Sequence, residues 1–80
     1  MTKTIKLKTP IEVGGETIEQ LTIREPKVRD RLIAEKLPGG AAEKEMGFIA
    51  NLCNVSPDTI MELALSDYIC LQEAVNDFLA

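Results

Sequence analysis

Eighty residues without a histidine lack the commonest general base and the commonest metal ligand, so Ser–His and Cys–His nucleophile systems are excluded. A formal net charge of −4 repels polyanions, and one tyrosine, two phenylalanines and no tryptophan leave little for bases to stack on, so nucleic acid is not an expected partner. The composition, 45% hydrophobic and 28% charged, suits one small soluble domain over residues 1–80, whose element order, taken below, reads as α+β, and with no apolar run near the roughly 20 residues of a membrane span, no membrane is expected either.

The first third reads as an antiparallel β-hairpin. Ile5, Leu7, Thr9, Ile11 and Val13 occupy successive odd positions, the period-two pattern of a strand with one buried face. Gly14-Gly15 supplies a two-residue turn, which sets Ile11 opposite Ile18. The second strand then changes parity: Ile18 is even, Leu21 and Ile23 are odd. One extra residue near Glu19-Gln20, a β-bulge, would repair this and face Leu21 to Thr9 and Ile23 to Leu7. Pro10 belongs where no ladder donor is required, and Lys6 and Lys8 on the solvent side protect the edge.

The remainder, residues 26–80, reads as about four helices. Pro26 is expected at the first helical position of a helix carrying Val28, Leu32, Ile33 and Leu37 along one face, closed by Leu37-Pro38-Gly39-Gly40. A second helix over 41–54 directs Met46, Ile49, Leu52 and Cys53 inward. Gly47 within it marks either a close crossing or a tolerated surface position. Ser56-Pro57-Asp58 starts a short helix of about two turns: serine caps, proline fixes φ and aspartate complements the dipole. Ser66-Asp67 reads as the same cap chemistry before a last helix lined by Tyr68, Leu71, Val75 and Phe78, with Ile69 and Leu79 flanking. The order β-β-α-α-α-α divides the chain into a hairpin, 1–25, and a helical part, 26–80, that supplies most of the core.

No chemistry-bearing constellation emerges. Glu73 and Asp77 lie one turn apart without a third ligand and read as a solvated face. Leu65-Ser66-Asp67 reverses the order around the modified serine of carrier proteins. Gly14-Gly15 and Gly39-Gly40 lack the lysine and hydroxyl residue of a phosphate loop. Cys53 and Cys70 form no CxxC pair and read as reduced, buried thiols. Catalytic residues, metal ligands and cofactors are therefore not expected. Charge is unevenly distributed: residues 1–36 hold eight Lys/Arg against six Asp/Glu, and residues 37–80 hold one lysine against seven acids. Head-to-tail self-association into a homo-oligomer, a basic partner surface, or a simply solvated helical half all fit this split.

Pro10-Ile11-Glu12, the segment Leu21-Thr22-Ile23-Arg24-Glu25-Pro26, and Ser66-Asp67-Tyr68-Ile69-Cys70-Leu71-Gln72-Glu73-Ala74-Val75 followed by Phe78-Leu79 occur in an order that resembles the small phage tail assembly chaperone family, over nearly the whole chain. The resemblance implies a non-enzymatic accessory protein that binds the tape measure protein in the bacterial host cytoplasm and is absent from the mature virion. It also implies, for some members, a frameshifted longer form, here extending beyond Ala80. A tape measure is a long amphipathic helix whose apolar stripe needs covering, and an acidic helical module could cover it by helix-in-groove contact. The candidate contact residues are Met61, Leu65, Tyr68, Leu71 and Phe78, each with core packing as its alternative; Met61 is the most adaptable. A structural tail component and a small acidic regulator of antitoxin type are the competing readings.

Overall fold

The computed structural model describes Met1–Ala80. Odd-position alternation forms strand β1 (Thr2–Val13), which returns through Gly14-Gly15 into strand β2 (Glu16–Arg24). Both turn glycines hold positive φ, +58° and +83°, the conformation that a two-residue turn matched to strand twist requires. The register next to the turn is as expected, with Val13 opposite Glu16 and Ile11 opposite Ile18.

The irregularity lies on the other strand. Pairing stops at Ile11 and resumes at Lys6 opposite Gln20, so Leu7, Lys8, Thr9 and Pro10 stand against Glu19 alone. Leu21 therefore faces Ile5, and Ile23 faces Lys3, rather than Thr9 and Leu7. The parity change requires an odd number of extra residues; three on β1 satisfy it as well as one on β2. β1 is favoured because Pro10 has no N–H to lose, and because the amides of Lys8 and Thr9 donate to the two carboxylate oxygens of Asp67, at 2.9 and 3.1 Å.

Four helices follow: α1 (Val28–Glu35), α2 (Ala41–Cys53), α3 (Pro57–Met61) and α4 (Leu65–Leu79). Pro26 lies before the N-cap residue Lys27, outside α1 instead of at its first position. The expected apolar face of α1 is also divided. Its inward residues are Asp30 and Ala34, while Val28 and Leu32 remain 81% and 59% exposed. Asp30 takes a core-facing position because its charge is fully partnered. Arg24 donates to both carboxylate oxygens at 2.8 Å, the Lys27 amide donates at 2.8 Å, and the Asn51 side-chain amide donates at 3.1 Å. The hydrogen bond from Arg24 is the largest of the influences that hold the Asp30 carboxyl down, to about 2, against the opposing effect of burial.

Leu37 packs on the opposite side from Val28, against Gly47 of α2; a β-carbon at 47 would collide with the Leu37 Cδ1 methyl. Gly47 is thus a crossing residue. Ile49, Leu52 and Cys53 are buried and Met46 is half-buried, as the periodicity predicts. Asn54 ends α2 in the left-handed conformation at φ 56°. Ser56 caps α3 by accepting from the Thr59 amide at 3.4 Å, and Pro57 opens that helix, which runs five residues, shorter than two turns.

Ser66 and Asp67 do not cap α4. The helix begins at Leu65 after Ala64, so both lie within its first turn, and Asp67 points inward to β1 instead of back along its own helix. A carboxylate there also sits favourably at the positive end of the helix. α2 packs on β2 and α4 on β1, closing a core to which the hairpin gives Leu7, Ile11, Leu21 and Ile23 and the helices give Ile49, Leu52, Ile60 and Leu71.

Candidate functional site

The left-handed turn at Asn54 and the Ser56-Pro57 start fold α3 back across α2, and the break after Met61 lets α4 leave in a new direction. A groove of about 640 Å³ opens where the three helices meet, lined by Ala42, Glu45 and Met46 of α2, Ile60, Met61 and Leu63 around α3, and Leu65, Tyr68 and Gln72 of α4. Seven of these nine residues are hydrophobic and Glu45 is the only charged one. Met61 and Leu65 are 55% and 72% exposed at its lip, and Ile69, one turn further along α4, is 45% exposed. Ordinary packing leaves isolated apolar side chains at a surface; several aligned on a concavity are less common.

The polar side of the groove is fixed by Glu45, one of whose oxygens accepts from the Tyr68 hydroxyl at 2.7 Å and from the Gln72 side-chain amide at 2.6 Å. Burial, and then the bond to Glu45, push the Tyr68 hydroxyl above its usual range, so it stays a neutral donor at physiological pH. Nothing in this lining provides a nucleophile paired with a base. The groove can bury apolar side chains and offer them a ring, a flexible thioether and one carboxylate.

Residues 4–80 match the model of a family described as phage tail assembly chaperone proteins, E, or 41 or 14. The chain belongs to this family. No curated protein and no solved structure matches it. The family match runs from the first strand of this chain to the end of α4, so it takes in the hairpin as well as the groove.

Of the five contact residues named from the sequence, Met61, Leu65 and Tyr68 come together in the groove. Leu71 does not: it is 0% exposed, among the core residues, and has no surface to present while the chain holds this fold. Phe78 lies outside the groove, half-buried near the far end of α4, with the Lys3 ammonium 5.2 Å from its ring centroid and Lys3 also paired to Asp77 at 3.1 Å. Sequence reasoning missed Ile60, Leu63 and Glu45. The first two could have been found by continuing the apolar pattern Ile60, Met61, Leu63, Leu65 through the inter-helix break; Glu45 carries no such signal.

The residues considered for chemistry are placed separately. Glu73 is exposed and Asp77 is taken up by Lys3; no three of the Asp, Glu and Cys side chains come close enough to hold a metal ion. Both cysteines are free, Cys53 buried with its thiol pushed up to about 11 by that burial, and Cys70 half-buried. No helix is long and apolar enough to cross a membrane.

Proposed function

We propose that this chain binds the tape measure protein during phage tail morphogenesis, in the cytoplasm of the bacterial host, and leaves before the virion is complete. It acts without catalysis, by covering apolar surface. The observation that carries this reading is the solvent-open apolar groove of α2, α3 and α4 in a chain of the tail assembly chaperone family. A long amphipathic helix exposes a stripe at i, i+3 and i+4 positions that aggregates when uncovered, and an apolar groove between helices suits such a stripe. Met61 at the lip can repack around differing side chains.

Co-expression with a tape measure fragment tests this. The wild-type chain should keep the fragment soluble, and Met61→Asp or Leu65→Asp should abolish that effect with an unchanged circular dichroism spectrum, since both positions are exposed. Leu71→Asp should instead unfold the chain, because it buries a charge in the core. A wild-type chain that never solubilises the fragment removes the chaperone reading, and detection of the chain by mass spectrometry in purified particles makes it a structural tail component.

A further inference from the structure

We propose that the segment this groove takes is a helix of about three turns whose apolar stripe is interrupted by one lysine or arginine, and that Glu45 is the residue that selects it. The inference rests on the helix-binding reading above and adds the chemistry of the occupant.

The groove does not end at its polar side. Beyond Glu45 and Gln72 a second hollow of about 370 Å³ opens between α2 and α4, and those two residues line both hollows. The second is otherwise lined by buried Ile49, half-buried Phe48 and Val75, and exposed Asn76. Both helices meet the hollows in the same order, Met46 then Ile49 on α2 and Tyr68 then Val75 on α4. The hollows therefore lie in line along one seam, with the bond from Gln72 to Glu45 between them. Tyr68 and Val75 are about two turns apart, roughly 10 Å along the axis of α4. A helix laid along the seam matches this with apolar residues about seven positions apart, which share a face. The residue midway between them on that face stands over Glu45.

Glu45 decides what that middle residue is. It is the only charged residue lining either hollow. It also borders the space between α1 and α2 that Arg31 and Lys44 line, yet neither forms an ion pair with it, and Lys44 donates instead to the Glu35 carbonyl at 3.2 Å. Its two hydrogen bonds come from neutral donors, Tyr68 and Gln72, and both fall on Oε1; Oε2 has no partner within the chain. Glu45 is exposed, so water can satisfy Oε2 while the groove is open. A helix along the seam excludes that water. An apolar residue over Glu45 would then leave a charged oxygen without a donor, and a carboxylate there would add repulsion. A lysine or arginine supplies both the donor and the counter-charge, while its aliphatic stem lies along the apolar lining. The surround has the same sign as Glu45, with one lysine against seven acids over residues 37–80.

Three synthetic peptides test this on the full chain without any tape measure fragment. Each is an alanine-rich helix of about fifteen residues with two leucines about seven positions apart and, midway on the same face, lysine, glutamine or glutamate. Titration calorimetry should show the lysine peptide binding at least about tenfold more tightly than the glutamine peptide, with the glutamate peptide weaker still. Glu45→Gln should bring the lysine and glutamine peptides within about twofold of each other. Glu16→Gln makes the same change in net charge at the exposed hairpin turn and should leave the preference intact. Val75→Ala trims only the second hollow and should weaken the lysine peptide by about threefold or more, with an unchanged circular dichroism spectrum. A wild type that binds none of the peptides or all three alike, a Glu45→Gln chain that keeps the preference, a Glu16→Gln chain that loses it, or a Val75→Ala chain that binds as the wild type does each overturns the proposal. Co-expression reports separately on the chaperone reading. A wild type that keeps a tape measure fragment soluble but shows no peptide preference loses this inference alone, and one that shows the preference but leaves the fragment insoluble loses the chaperone reading alone.

Discussion

Two aspartates are withdrawn from water in this chain, and they are stabilised differently. Asp30 faces a cation: Arg24 grips both of its oxygens, two further N–H groups complete the set, and the arginine side chain is itself 37% exposed. Asp67, 0% exposed, has no cation among its bonds and is held by two backbone amides of the irregular stretch of β1. The first joins the end of β2 to α1 and α2; the second joins α4 to β1. Removing the carboxylate has unequal consequences. Arg24 can turn its guanidinium to solvent, whereas the Lys8 and Thr9 amides are fixed in the backbone and have no ladder partner to return to.

That asymmetry can be broken by experiment. Asp67→Ala is expected to have the largest effect, a loss of about 2–4 kcal/mol from two amides left without an acceptor. Against a total of roughly 0.05–0.15 kcal/mol per residue, this would shift a urea midpoint sharply or unfold the chain. A smaller loss than for Asp30→Ala would contradict the contrast between the two sites. Asp30 should reveal itself through pH instead. Its folded-state value, about 2, lies below the usual 3.8, so the stability it contributes is fully present above about 4 and is lost as pH falls through 2. The contribution is at most about 2 kcal/mol, because solvent screens the exposed arginine. Urea titrations of wild type and Asp30→Asn between pH 2 and 5 should show that slope in the wild type and a flatter one in the variant.

The smallest effect concerns the other attachment of α1, Leu37 against Gly47. Alanine at 47 gains about 1 kcal/mol of helix propensity but meets the Leu37 methyl, so Gly47→Ala alone should give little or no stabilisation. In a Leu37→Ala background the gain is unopposed, and the same substitution should stabilise by about 1 kcal/mol. Equal effects in both backgrounds would show that the crossing does not couple α1 to α2.

Much of the fold was legible because local chemistry agrees with it: Gly14-Gly15 sets the turn, Ser56-Pro57 starts α3, and Ile49, Leu52 and Cys53 keep helical period. What escaped has definite reasons. Parity reports that the two strands differ by an odd number of residues but not which strand carries the excess, and the partner that decides it, Asp67, is 58 residues along the chain from Thr9. The same aspartate was assigned to a cap because Ser-Asp before an apolar run has that local meaning, and only tertiary structure turns it inward. On α1 the apolar pattern identified the wrong side, since a fully partnered carboxylate can occupy a core-facing position that periodicity assigns to leucine. Among the five candidate contact residues, Met61, Leu65 and Tyr68 line the groove while Leu71 lies in the core; the sequence does not separate them, because α4 is apolar on two sides and spacing alone does not say which one the sheet covers.

The bond between residues 8–9 and 67 also sets an order of events during synthesis. Residues 7–10 leave the ribosome well before Asp67, because the acceptor for the amides of 8 and 9 is made almost sixty residues later. The glycine turn and the pairs beside it are local and fast, whereas the irregular part of β1 closes over a long stretch of sequence, the kind of contact that slows folding. Until α4 has been made, that part of the first strand is an unpaired edge, and exposed Lys6 and Lys8 on either side of Leu7 keep neighbouring nascent chains from adding to it.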